Sequence, residues 1–346
     1  MSVRTVVVCE AQVPFVRGGA EYHVRELVRH LRLHGYLVDL ISLPFKWYPK
    51  PEILAHAAAW RLLDLSESNG RSIDLAIASK FPSYFVRHPN KVTWLIHQYR
   101  SAYDLCGTEY SDFKHTESDV GLRETLIRLD RQMLTECRHV FTNSKNTATR
   151  LEKFNGLRTN ALYHPPRLAS SLRSGPYGNY LLSVGRLESI KRPELAVSAM
   201  RFVDSSIRLV LVGDGTDRER IKKLAGEIGV ADRVELLGAV EDEQLIELYA
   251  GALAVVYAPY DEDYGYVTLE AFLSRKPVIT GEDSGGILEF VEDEVNGFIR
   301  KADPEMIAEA INRLVAKRSL ASSFGDAGFE IAQKITWDGV VETLLQ

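Results

Sequence analysis

The chain has 346 residues, 45% hydrophobic and 26% charged, which is long for one hydrophobic core and ordinary for folded soluble protein. No run approaches about 18 consecutive apolar residues, and the apolar part of MSVRTVVVCEAQVPF is too short for a secretory leader. Cys9, Cys106 and Cys137 are scattered without CxxC spacing, which argues against a disulfide framework or zinc site and fits a reducing cytosol. The net charge of −5 hides a gradient. Residues 1–175 hold 24 Lys+Arg against 17 Asp+Glu (+7), and the remainder holds 18 against 30 (−12). All nine histidines precede residue 165. Two chemically different halves suggest two domains. The basic half suits an anionic acceptor or a membrane surface, or reflects chance.

In chain order, residues 3–9 read as a buried strand, followed by the Gly18-Gly19 loop, a helix over 20–35 and a strand over 37–42. This is a βαβ unit, the start of a parallel layer. Short apolar runs at 74–79, 91–97 and 139–144 extend it, and residues 98–120 read as an exposed loop. Residues 162–179, with Pro165, Pro166 and Pro176, read as the interdomain connection. A second α/β series then has strands at 180–184, 208–213, 234–238, 253–259 and 277–280. Its helices fall at 193–203, 217–229, 241–252, 287–293, 304–318 and 319–335, with a short one at 337–346.

Doubly wound sheets bind ligands beyond the carboxyl ends of their strands, so the segments after strands carry the candidates. Gly18-Gly19 beside a helix start fits an anion contact or a tight turn. Arg186, Lys191 and Arg192 precede a helix N-terminus, where cations oppose the dipole unless an anion compensates them; solvated surface charges are the alternative. GDGTDR lacks the third glycine of a dinucleotide fingerprint, with Arg218 in its place, and Gly213 fits close ligand approach or a simple turn. In DEDYGYVTLE, Glu262 is a loop acid, Gly265 permits a sharp turn, and Glu270 lies early in a helix that its charge complements. Gly285-Gly286 open the predicted helix at 287–293, and Glu289 is a surface acid or a ligand. His97 ends a strand, pointing into a binding region or into the core.

Glu262 and Glu270, with seven residues between them, resemble the E-x7-E signature of retaining, nucleotide-sugar-dependent glycosyltransferases of family 4. SVGRLESIKRPELAVSAM, LVGDGTDRERIKKLA and KPVITGEDSGGILEFVEDEVNGFI are similar to blocks of that family, as are FVRGGAEYHVRELVRHL and FTNSKNTATRL in the first half. The resemblance implies an α/β GT-B fold, two Rossmann-like doubly wound parallel-sheet domains facing each other across a cleft. It implies an acceptor-binding domain over 1–172, a nucleotide-sugar-binding domain over 176–335, and a last helix, 336–346, that packs back on the first.

Carried over by resemblance, Arg186 and Lys191 hold the donor diphosphate, with amides around Gly18 and Gly19; Gly213, from its place after a strand, is a further donor-binding candidate. Glu270 binds the ribose hydroxyls. Glu262 and the amides of Tyr264, Gly265 and Tyr266 hold the sugar, and His97 lies beside it. The chain departs from the family at Asp263-Tyr264, where glycine or proline then phenylalanine is common, and at Gln98, where aspartate is common. Both departures fall near the sugar. The implied reaction retains configuration and needs no metal or other cofactor, fixed cations stabilising the leaving diphosphate.

The expected partners are a UDP- or GDP-type sugar donor and a sugar, glycan or lipid-linked acceptor, in polysaccharide or glycolipid synthesis, with no nucleic acid. The expected location is cytoplasmic, and the basic first half is compatible with peripheral contact at the inner membrane face. The rival readings are a nucleotide-sugar epimerase of the same fold and a non-catalytic sugar-binding subunit.

Overall fold

A computed structural model describes residues 3–16 and 18–346. The chain divides into two compact units, one of residues 1–164 with 336–346, the other of residues 165–335.

In the first unit, β1 (Thr5–Gln12) leads through the glycine loop to α1 (Gly19–Leu33) and β2 (Leu37–Pro44). Then come α2 (Glu52–Leu62), a small hairpin of β3 (Glu67–Ser68) and β4 (Arg71–Ser72), β5 (Leu75–Ala78) and β6 (Lys91–Leu95). α3 (Glu117–Thr135), β7 (His139–Thr142), α4 (Lys145–Asn155) and β8 (Asn160–Ala161) follow. The six-stranded sheet runs β2-β1-β5-β6-β7-β8, with every pairing parallel. Strand interiors such as Val6 to Cys9 and Leu75 to Ala78 are buried because helices cover both faces.

In the second unit, the sheet runs β11 (Val234–Gly238), β10 (Arg208–Val212), β9 (Tyr180–Val184), β12 (Ala254–Val256), β13 (Val278–Gly281) and β14 (Gly297–Arg300), again all parallel. Its helices are α5 (Pro193–Ala199), α6 (Arg218–Glu227), α7 (Asp242–Gly251), α8 (Tyr266–Leu273), α9 (Pro304–Ala316) and α10 (Arg318–Ala332). The order reverses at β9, between β10 and β12, which is the switch point where such sheets leave room for a ligand.

The last helix, α11 (Trp337–Leu345), belongs to the first unit. Trp337, Val340, Val341 and Leu344 join a core with Val24, Leu27, Val28, Leu31 and Trp94. Thr336 caps it through a bond from the Gly339 amide.

Several expectations need correction. Residues 98–120 are not an exposed loop: Gln98, Ala102, Tyr103, Leu105, Ser111, Phe113 and Asp119 are buried, and α3 begins within the span. Residues 287–293 do not form an α-helix. A single 3₁₀ turn over Gly286–Glu289 gives way to chain held by Asn296, which accepts from the Glu292 amide and donates to the Phe290 carbonyl. Residues 165–179 are packed onto the second unit. Arg167 pairs with Asp242, Arg173 with Glu247, and buried Lys276 donates to the Gly175 carbonyl at 2.9 Å while lying 3.9 Å from the Tyr177 ring centroid.

Candidate functional site

Three segments that follow strands of the second unit meet. After β9, residues 185–192 carry Arg186 and Lys191. After β12, residues 257–265 carry Glu262. After β13, residues 282–286 carry Gly285 and Gly286. The latter two run as a short parallel pair: Asp261 N donates to Asp283 O at 2.8 Å, Glu262 N to Ser284 O at 3.2 Å, and Gly286 N to Glu262 O at 2.7 Å. Gly286 is required there, because a Cβ would lie 2.3 Å from the Asp263 carbonyl oxygen.

Arg192 ties all three segments together. It holds a left-handed backbone conformation (φ 49°), donates to the carbonyls of Ala258 and Pro259 at 2.9 and 2.8 Å, and pairs with Asp283 at 2.6 Å. Sequence placed Arg192 among cations that either await an anion or are solvated; its guanidinium instead anchors the chain.

Lys191 and Glu262 bond directly through Glu262 Oε2, which also accepts the Tyr257 hydroxyl at 2.9 Å. Both partners are largely withdrawn from solvent, with side chains 19% and 16% exposed. Burial alone would raise the Glu262 carboxyl, but the Lys191 charge and the bonds from Lys191 and Tyr257 outweigh it and hold the group below its usual value. Arg186 is 57% exposed and pairs with Glu188 at 2.7 Å. A small hollow at the end of β9 is bounded by Gly185, Arg186, Lys191, Arg192 and Tyr257.

α8 starts after Gly265, which takes φ 78° and has Ile287 against it, 2.6 Å from where a Cβ would stand. Tyr264 is buried, edge-on to Tyr266 and Phe290 at 5.3 and 5.5 Å. Glu270, one turn into α8, accepts the Tyr249 hydroxyl at 2.7 Å on Oε2. Burial pushes its carboxyl up, and the Tyr249 bond and the Arg167 charge pull it part of the way back. Tyr257 lies where both carboxylates act on it. Burial first, then Glu262, with Glu270 beyond, raises its phenol well above its ordinary value. Gly213 (φ 121°) has a local reason for lacking a side chain, since a Cβ would stand 2.0 Å from the Gly185 carbonyl oxygen.

Gly18, Gly19 and His97 lie in the first unit. The Gly18 amide donates to Glu21 at 3.0 Å, Glu21 takes buried Lys80 at 2.8 Å, and Gly19 opens α1. His97 follows β6, half-buried, with Nδ1 2.7 Å from the Gln98 carbonyl oxygen. The Gln98 side chain is fully buried, and neither of its amide atoms is hydrogen-bonded among the described residues.

Thus Arg186, Lys191, Gly213, Glu262, Tyr264, Gly265, Tyr266 and Glu270 share the second unit, and the direct Lys191–Glu262 bond was not foreseen. Tyr249 and Tyr257 were missed. The apolar run places Tyr257 inside a strand over 253–259, but β12 ends at Val256, so it is the first residue beyond the strand, where ligand-facing groups are sought. Tyr249 lies within α7 and carries no such signal.

Residues 170–330 match the family model described as glycosyl transferases group 1. The D-inositol 3-phosphate glycosyltransferase of Acidothermus cellulolyticus is 32% identical over 181 residues, 49% of this chain and 40% of that protein. The mouse alpha-1,3/1,6-mannosyltransferase ALG2 is 31% identical over 182 residues, 48% of this chain and 44% of that protein. The chain therefore spans less than half the length of these relatives. Across nearly its whole length the fold is that of sucrose-phosphate synthase from Thermosynechococcus elongatus (TM-score 0.75, 20% identity, 98% and 97% of the two chains). It is likewise that of Anabaena HepE in complex with UDP and glucose (TM-score 0.72, 17% identity, 99% of each chain).

Proposed function

We propose, from the match of residues 170–330 to the family model described as glycosyl transferases group 1 and from the GT-B fold, that the chain is a glycosyltransferase moving a sugar from a nucleoside-diphosphate sugar to a hydroxyl acceptor. The observation that carries this reading is the cluster beyond β9 and β12: Arg186 and Lys191 beside Glu262, with Glu270 one turn into the helix that follows.

A nucleoside diphosphate leaves with growing negative charge on its phosphate oxygens, and fixed cations stabilise that charge as it develops. Arg186 and Lys191 supply it. At present Arg186 pairs with Glu188 and Lys191 with Glu262, and a donor diphosphate competes with these carboxylates for the two cations. Glu270, a carboxylate with two acceptor oxygens, suits the paired hydroxyls of a ribose. Glu262 and the turn at Tyr264–Tyr266 suit the hydroxyls of the sugar.

In the reaction the bond from the sugar C1 to the donor phosphate oxygen breaks, and a bond from C1 to the acceptor oxygen forms on the same face. The acceptor proton passes to the departing phosphate, so configuration is retained with no protein nucleophile and no metal. The UDP-bound state of HepE makes UDP-sugars the first donors to try, with GDP-sugars second. The net positive charge of residues 1–175 supports an anionic or lipid-linked acceptor, in glycan or glycolipid synthesis at a cytoplasmic membrane face. Among the described residues, no helix is long and apolar enough to cross a membrane.

The test is a panel of UDP- and GDP-sugars scored by donor hydrolysis and transfer, with EDTA present and absent. Lys191→Ala is expected to cut turnover at least about tenfold, roughly 1.4 kcal/mol of transition-state stabilisation, and EDTA to change nothing. Unchanged kinetics in the variant with every active donor would refute the assignment. Loss of activity in EDTA that manganese restores would refute metal independence.

A further inference from the structure

We propose that Tyr257 and Tyr249 are positioning residues with separate duties, Tyr257 holding Glu262 for turnover and Tyr249 holding Glu270 for nucleotide binding. The inference rests on the donor-site reading above and extends it to the two tyrosines that hold its carboxylates.

The two hydroxyls arrive from different elements, Tyr249 from α7 and Tyr257 from the residue after β12, and each ends on Oε2 of one glutamate, at 2.7 and 2.9 Å. Both rings are buried, Tyr249 completely and Tyr257 to 7% exposure. A buried phenol requires a partner, and a main-chain carbonyl would serve. Here each instead finds the carboxylate assigned a task.

The geometry at Glu262 carries the argument further. Lys191 and Tyr257 donate to the same oxygen, Oε2. When donor diphosphate draws the Lys191 ammonium toward itself, Tyr257 still donates to that oxygen and keeps the carboxylate in its orientation. The neutral hydroxyl has no attraction of comparable strength to the phosphate, so it stays. Tyr257 therefore matters most after the donor has bound, and its loss appears in kcat.

Glu270 presents the opposite case. Among the described residues no lysine bonds to it; burial pushes its carboxyl toward the neutral form, and the Tyr249 hydrogen bond, then the more distant Arg167 charge, opposes this. A protonated carboxyl gives up part of its capacity to accept two ribose hydroxyls. Tyr249 therefore matters on binding, and its loss appears in KM and in the Kd for nucleotide. Removing either hydroxyl removes stabilisation of a carboxylate, so the acid limb of the corresponding profile moves to higher pH.

The experiment compares Tyr249→Phe, Tyr257→Phe and Lys191→Ala in the whole chain, by UDP and GDP saturation binding and by donor hydrolysis from pH 5 to 9. A hydrogen bond to a charged group implies effects of about tenfold. Tyr249→Phe is expected to weaken nucleotide binding by about that factor with kcat little changed. Tyr257→Phe is expected to lower kcat about tenfold with nucleotide binding within about twofold, and to shift the acid limb of kcat upward. A second pair, Glu270→Gln with and without Tyr249→Phe, keeps the inference falsifiable if one variant folds poorly: the tyrosine change should add nothing once the carboxylate is gone.

If Lys191→Ala weakens activity while both tyrosine variants behave as wild type or show the same split, the positioning assignment is overturned and the donor site stands. An equal loss from Tyr249→Phe in the Glu270→Gln background overturns the Tyr249 assignment. If UDP and GDP bind neither wild type nor variant, the donor-site reading itself falls, and the assignment falls with it.

Discussion

Arg186 and Lys191 are both already engaged by carboxylates of the chain, Arg186 by Glu188 two residues along and Lys191 by Glu262 from another loop. The two pairs differ in cost to a ligand. Arg186 is more than half exposed, and an exposed pair is worth about 0.2–1 kcal/mol. Glu188→Gln is accordingly expected to lower the Kd for UDP by about 1.4- to 5-fold, with a gain that shrinks as salt rises; titration at two ionic strengths checks it, and weaker binding in the variant would show that Glu188 assists the donor. Residue types at the strand ends were legible: Arg186, Lys191, Glu262 and Glu270 were singled out from residue type and place. Their pairings were not, because a contact between residues 71 apart leaves no local trace. Arg192 misled for the same reason, since a cation before a helix looks alike whether it awaits a ligand or binds two carbonyls and Asp283.

Among the elements, the segments after β12 and β13 act as one. Three main-chain bonds join them, and Gly286 lets them approach. Gly286→Ala puts a methyl group against the Asp263 carbonyl, and such overpacking costs about 1–3 kcal/mol. The expected outcome is a lowered melting temperature together with a larger fall in turnover, because the displaced segment carries Glu262; a variant that melts lower but turns over as wild type would show that the Glu262 loop moves independently. Strands of both sheets were legible as short apolar runs between turns. α2, EILAHAAAWRL, was not read, since its alanines blur any single apolar stripe. α3 escaped because Asp119 and Asp130 occupy buried positions, interrupting the apolar period with acids that Lys50 and Tyr103 satisfy. The turn at Gly286–Glu289 had apolar residues enough for a helix, but Gly285 enters it at φ 63° and Asn296 ends it from ahead, neither of which hydrophobic period reports.

At the scale of the whole molecule, α11 completes a core begun some 300 residues earlier. Trp337 stacks on His30 with ring centroids 4.8 Å apart and lies edge-on to Trp94 at 6.1 Å. Replacing a buried tryptophan with alanine costs about 3–5 kcal/mol, so Trp337→Ala is expected to destabilise residues 3–164 and leave 165–335 unaffected. Hydrogen exchange resolved along the chain would show protection lost from the first unit, with α1 and its sheet most affected, and kept in 165–335; loss spread equally over both units would refute the partition. The alternating strand-and-helix character of each half was legible from strand and helix periods. The identity of the unit that α11 joins rested on resemblance, because WDGVVETLLQ has an apolar face but nothing in it names a partner.

That first unit is discontinuous in sequence, interrupted by all of residues 165–335. Translation therefore makes the second unit whole before the first has its final helix. On the ribosome the earlier-made sheet must wait, with the apolar surface of α1 uncovered where Val340, Val341 and Leu344 will dock, while the later-made sheet already has every strand and helix of its own. The order of completion is the reverse of the order of synthesis.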